Sequence, residues 1–163
     1  VIDLSEVGTE ITVDIEAPPE AVWALITDLG RTPTWNRETR ETAWVPPAHG
    51  PAEGAVFRAV NQIGSREWTV DCHVIVATAP SAFEWTVLDP SHPSTRWWYR
   101  LAPTPSGTTL RHGFQHGPGP SGLRSAVDRN PDGAAVTIAG RVGMLEANMR
   151  HTVTMIKAVA EGR

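Results

Sequence analysis

The sequence predicts an α+β fold in which a curved antiparallel sheet of seven strands wraps around one long C-terminal helix, with two short helices after the first strand. Residues 54–103 supply the first observation, four runs reading GAVFRAVNQIG, SREWTVDCHVIVATA, PSAFEWTVLDP and STRWWYRLAP. They break at Gly64–Ser65, Ala79–Pro80–Ser81 and Asp89–Pro90, where the chain turns back on itself. The second is the face these strands share. Alternate side chains of a strand point to opposite sides, which groups Phe57, Ala59 and Asn61 with Trp68, Val70, Cys72, Val74 and Val76, then Phe83, Trp85 and Val87, then Trp97, Tyr99 and Leu101. The opposite set, including Arg58, Thr69, Asp71, His73, Glu84, Thr86, Arg96 and Arg100, is mostly polar. A wide apolar surface needs a cover, and the third observation supplies one. From Ala134 to about Ala160, Ile138, Val142, Leu145, Met149, Thr152, Ile156 and Val159 form a single apolar stripe on a helix of roughly 40 Å.

The remaining elements follow in chain order. Thr9 to Glu16 alternates Ile11, Val13 and Ile15 with polar residues, as a half-buried strand does. Ala17-Pro18-Pro19-Glu20 opens a helix, since proline is tolerated in a first turn, and Val22, Trp23, Ile26 and Leu29 keep helical spacing. A second short helix spans Thr32 to Asn36 and brings Trp35 back over the first. Glu38 to Val45 reads as a strand ending at Pro46-Pro47, with Trp44 at the rim of the sheet. After the turn at Ser106-Gly107, Thr108 to His116 is the last strand, with Leu110, His112, Phe114 and His116 on one face. The Gly- and Pro-rich segment 117–133 is a loop at one end of the sheet with one or two helical turns at Leu123–Arg129, and Ser121 can cap them. Gly140 and Gly143 cost the last helix about 1 kcal/mol each relative to Ala, so their missing side chains are expected to make room for a strand, a loop or a ligand.

Composition narrows the function. The 163 residues suffice for one domain with its own core, and no boundary divides 1–163. The lone Cys72 forms no intrachain disulfide and reads as a core residue. No apolar run reaches the roughly 20 residues of a membrane span. The first ten residues lack the basic-then-apolar order of a signal peptide, so the cytoplasm is the expected compartment. A net charge of −4 without a Lys/Arg cluster argues against nucleic acid as a partner, and a homodimer stays open. Seven tryptophans against one tyrosine is unusual, because each indole must be buried or stacked on something. Trp23 and Trp35 read as packing for the short helices. Trp97 and Trp98 are adjacent and must point opposite ways.

Motifs for catalysis are sparse. The six histidines include no HExxH, and the HxxxH spacing of His112 and His116 falls on a strand, where the two stand about 13 Å apart, so no metal or other cofactor is expected. GPGPSG at 117–122 carries no P-loop lysine, and no GxSxG elbow marks a nucleophile. What remains is Asn61, Tyr99, His112 and His116 among aromatics on the inner face. A buried polar group left unpaired costs roughly 1 to 3 kcal/mol. Either Asn61 bonds the sheet backbone or Trp68 and His112 bonds Tyr99, or these groups orient a ligand. In the second case His112 is the one candidate acid or base, since imidazole titrates near neutral pH.

Several pieces together carry a resemblance: APPEAVWALITDLGRTPTWN at 17–36, GAVFRAVNQIGSREWTVDCHV at 54–74, PSAFEW at 80–85, WWYRLAPTPSGTTL at 97–110 and RHTVTMIKAVAE at 150–161. In order and spacing they resemble the polyketide cyclase/dehydrase and START-like superfamily known as SRPBCC, with its helix-grip fold, and most of all its small single-domain actinobacterial members. The resemblance implies a deep apolar cavity between sheet and long helix, used across the superfamily for lipids, sterols, polyketides and plant hormones. It implies no reaction and carries over no catalytic residue. The expected function is binding of a small hydrophobic molecule, with Phe57, Trp68, Trp85, Trp97, Tyr99, Phe114, Leu145 and Met149 as walls and Asn61 and His112 as polar contacts. The alternatives are a polyketide aromatase/cyclase or dehydrase, and a domain that regulates a partner protein.

Overall fold

The computed structural model describes residues 2–163. In chain order the elements are β1 (Gly8–Ile15), α1 (Pro19–Thr27), a 3-10 turn at Leu29–Arg31, α2 (Thr32–Trp35), β2 (Thr39–Trp44), β3 (Val56–Ile63), β4 (Arg66–Thr78), β5 (Ala82–Val87), β6 (Thr95–Thr104), β7 (Gly107–His116), α3 (Gly122–Arg129) and α4 (Ala134–Ala160). The strands form one curved antiparallel sheet in the order β1-β7-β6-β5-β4-β3-β2, gripping α4, the helix-grip arrangement the sequence predicts. Successive hairpins give neighbouring strands from β2 to β7. Only β1 reaches its partner β7 across the chain, and it pairs from Gly8↔Gln115 to Ile15↔Thr108.

Register sets the inner face. Phe83 stands opposite Tyr99, Trp85 opposite Trp97, Trp97 opposite Phe114 and Tyr99 opposite His112, so the rings of β5, β6 and β7 fall in rows across the strands. One predicted inner residue is misplaced. A bulge follows Val74, which pairs with Trp85, and Val76 then pairs with Glu84 of the outer face. One extra residue reverses the side-chain alternation beyond it, so Ala77 replaces Val76 against the core.

The outer face is more packed than its polarity predicts. Glu84 and Thr86 are buried there, Glu84 beneath the guanidinium groups of Arg96 and Arg100. Burial works to raise the Glu84 pKa, but hydrogen bonds from both arginines hold it below the usual carboxylate value. Trp98 lies on this side with Arg100 4.6 Å above its ring, and its indole N–H donates to Glu10 Oε2 at 2.7 Å. It covers Gly113 so closely that a Cβ there would meet the indole at 2.2 Å.

α4 buries Leu145, Met149, Thr152, Val153 and Ile156 and packs chiefly across β1. Val159, predicted to close the apolar stripe, is instead 38 % exposed, and Val153 is buried in its place. A seven-residue stripe drifts about 20° per repeat around a straight helix, which carries its last member off the core. A Cβ on Gly140 or Gly143 would meet nothing within 4 Å, so neither glycine makes room for a neighbour.

Candidate functional site

A cavity of about 530 Å³ opens between the sheet, α3 and the N-terminal half of α4. Cross-strand rows of rings build its sheet wall. Trp85 and Trp97 stack at 6.4 Å with 9° between planes, Trp97 lies 5.1 Å from Phe114, and Phe57 meets Trp85 edge-on at 5.9 Å. Such pairs are worth about 0.5–1.5 kcal/mol each beyond area burial. Trp68 lines the end near the β3–β4 turn, and Leu145 faces the rings from α4. Of the predicted wall residues only Met149 lies elsewhere. It is 2 % exposed and belongs to the core beneath α4.

Two polar groups interrupt the aromatic wall. His112 Nδ1 lies 3.0 Å from the Trp98 carbonyl oxygen, which can only accept, so Nδ1 carries the proton and Nε2 is a bare acceptor. The His112 and Tyr99 rings stack face to face at 4.2 Å and 13°, and they are not hydrogen-bonded to each other. Among the described residues Glu161 Oε1 is the sole sealed side-chain polar atom without a hydrogen-bond partner. His112 Nε2 and the Tyr99 hydroxyl, which also lack protein partners, are therefore open to the cavity they line. Burial pushes the His112 pKa down to about 4, against a smaller opposing effect of the Trp98 bond. This corrects the expectation of a group titrating near neutrality: at pH 7 His112 is uncharged and cannot serve as an acid. Burial likewise pushes the Tyr99 phenol and the Cys72 thiol up, so both stay protonated.

One end of the cavity is a polar network that joins distant parts of the chain. Asn36 Oδ1 accepts from the backbone N–H groups of Glu38 and Thr39 at 3.0 and 3.2 Å and from Asn148 Nδ2 at 2.9 Å. Arg141 on α4 grips Glu38 with two bonds of 2.6 and 3.1 Å. Asn61 meets this network through the Thr39 hydroxyl, which donates to its Oδ1 at 2.9 Å, rather than through the backbone or Trp68. At the other end, His116 and Ser121 close the wall between β7 and α3. The loop there is tied down, with the Gly117 and Gly119 N–H groups donating to Ser94 O and Pro93 O, each at 2.8 Å.

The tryptophans divide by face. Trp23 packs edge-on against Phe83 at 6.2 Å, and Trp35 is buried under α4, where its carbonyl accepts from Thr152 Oγ1. Trp44 meets Phe57 edge-on at 5.8 Å and lines a separate surface depression rather than the cavity. The sequence reading missed Asn36, Glu38, Thr39, Arg66, Ser121, Arg141 and Asn148, all of which line the cavity. Polar residues after α2 and on the cavity face of α4 are the only local signal for them. No helix among the described residues is long and apolar enough to cross a membrane.

Known proteins with this architecture are numerous. The Polyketide_cyc-like protein Cgl2372 from Corynebacterium glutamicum is 28 % identical, with 95 % of this chain and 91 % of that one aligned at a TM-score of 0.71. The Zhui aromatase/cyclase from Streptomyces sp. R1128 is 16 % identical over 94 % of this chain and 93 % of that one, with a TM-score of 0.70. The di-domain ARO/CYC StfQ from the steffimycin biosynthetic pathway is 15 % identical with a TM-score of 0.72, and 96 % of this chain aligns with 51 % of that one. The last two share the fold at identities too low to say more. No curated protein matches. Since the model of the family described as "Polyketide cyclase / dehydrase and lipid transport" matches residues 6–161, nearly the whole chain, the protein belongs to that family.

Proposed function

We propose that the protein binds a small hydrophobic molecule, flat or elongated like an aromatic polyketide or a lipid, in the cavity between the sheet and α4. The observation that carries this reading is the pair of unpartnered polar atoms, His112 Nε2 and the Tyr99 hydroxyl, set in a wall of stacked rings. Leaving them open costs stability unless water or a ligand satisfies them. One accepts and the other donates, which suits a ligand group that does both, such as an enol or a phenol beside a carbonyl. Phe57, Trp68, Trp85, Trp97, Phe114 and Leu145 supply the apolar contact, and Asn61 a polar contact at the far end. A panel of polyaromatic and fatty compounds is expected to quench tryptophan fluorescence saturably. Absence of quenching by any of them would remove the proposal.

A second reading is catalytic, and the same two atoms favour it. Holding a flexible poly-β-ketone in one folded geometry accelerates ring closure by itself, and the fold shared with two aromatase/cyclases supports the idea. His112, neutral at pH 7, would act as a hydrogen-bond acceptor or weak base. The test is the product distribution from a poly-β-ketone substrate with wild type and His112→Ala. A shift toward one cyclised product with wild type alone supports catalysis, and unchanged products with both leave only binding.

A further inference from the structure

His116 ends β7 and Ser121 caps α3, and the short loop between them folds one onto the other. His116 Nδ1 lies 2.7 Å from the carbonyl oxygen of Gly117, so this nitrogen carries the ring proton. Nε2 is then an acceptor, and the Ser121 hydroxyl donates to it at 2.8 Å. Ser121 Oγ itself accepts the Arg124 backbone N–H at 2.9 Å. Both side chains line the cavity. A hydroxyl bonded to an imidazole whose other nitrogen is fixed by an acceptor is the arrangement of an activated serine nucleophile.

We propose that Ser121 and His116 form a nucleophile-base pair that takes an acyl group from a hydrophobic ester or thioester held in the cavity. This goes beyond binding and does not depend on cyclisation. Ser121 Oγ attacks the carbonyl carbon while its proton moves to His116 Nε2. The bond from that carbon to the leaving oxygen or sulfur breaks, and the leaving group takes the proton from Nε2. Water then attacks the acyl-serine, gives a proton to Nε2 and releases the acid as Ser121 recovers its hydrogen. The first N–H groups of α3, from Gly122 and Leu123, follow Ser121 directly and have no intrahelical acceptor, so they are the donors nearest in the chain for the developing oxyanion. The Arg66 guanidinium is close by, 3.3 Å from where a Gly122 Cβ would stand. Burial, with Arg124 nearby, holds the His116 pKa below its ordinary value and keeps the ring in the basic, uncharged form at neutral pH.

The experiment uses the full chain with p-nitrophenyl butyrate, followed by p-nitrophenolate release, intact mass and peptide mapping. Expected are an initial burst and one butyryl group per chain on Ser121. His116→Gln should slow the burst about 10²-fold or more. Ser121→Asn, which keeps a capping side chain for α3, should abolish it. Butyryl found on another residue, a burst unchanged in Ser121→Asn, or a wild-type rate no faster than buffer would overturn the proposal. Fluorescence quenching of the wild-type chain by unreactive ligands is read separately, so failure of acylation and failure of binding are distinguishable.

Discussion

Protonation of His112 should cost the fold measurable stability. The buried ring has a pKa of about 4 in the folded chain, against about 6.5 for an exposed histidine. Between these values the unfolded chain binds a proton that the folded chain does not. Stability is therefore complete above about pH 6.5 and is lost as the pH falls toward 4. With these two pKa values linkage gives a loss of about 2 kcal/mol at about pH 5 and about 3 kcal/mol at about pH 4. For a urea slope of about 2 kcal/mol/M, the first figure moves the midpoint by about 1 M. The assay is urea unfolding of wild type and His112→Phe at about pH 7.5 and about pH 5. Phenylalanine keeps a ring against Tyr99, and loss of the bond to the Trp98 carbonyl shifts both pH values alike. Other titrating groups, His116 and the paired carboxylates among them, are common to both proteins. The wild type should lose about 2 kcal/mol more than the variant between the two conditions. Equal losses would refute the burial argument and the neutral acceptor it places in the cavity.

Three further predictions concern the cavity and its supports. Tyr99→Phe keeps the ring stack but removes the hydroxyl, and should weaken a ligand with a polar group by about two- to tenfold while leaving a purely hydrocarbon ligand unaffected, as read by fluorescence titration. Arg141→Met strips both hydrogen bonds from Glu38 at the cavity mouth and should cost about 1–2 kcal/mol in urea unfolding. The same substitution in a Glu38→Gln background should cost less. Two glycine substitutions should act in opposite directions on thermal unfolding: Gly113→Ala drives a methyl into Trp98 and should destabilise by about 1–3 kcal/mol, whereas Gly140→Ala, with open space around it, should stabilise by about 0.5–1 kcal/mol.

The strands and α4 were legible because their signals are local. Ile11, Val13 and Ile15 alternate within one strand, Leu145, Met149, Thr152 and Ile156 repeat within one helix, and the Gly and Pro breaks lie beside the runs they end. The aromatic wall followed from the same alternation. What was misread depends on pairing between segments. Val76 changes face because β4 carries one more residue than β5 opposite it. His112 loses its basicity through the elements that bury it and the Trp98 carbonyl fourteen residues away. Asn36 and Asn148 meet across 112 positions, and Arg141 finds Glu38 across 103, with nothing at either end to announce the partner. His116 and Ser121 are only five apart, yet the Gly- and Pro-rich loop that joins them has no periodicity from which their contact could be read.

The most direct measurement follows the indole N–H resonances in ¹H–¹⁵N spectra while a polyaromatic or long-chain fatty ligand is added. Trp68, Trp85 and Trp97 line the cavity, whereas Trp98 lies on the outer face bonded to Glu10 and Trp44 lines the separate depression. Saturable shifts confined to the first three, complete near one equivalent, are the predicted result. Uniform shifts of all the indoles, or none for any ligand tried, would contradict a cavity that receives a hydrophobic molecule.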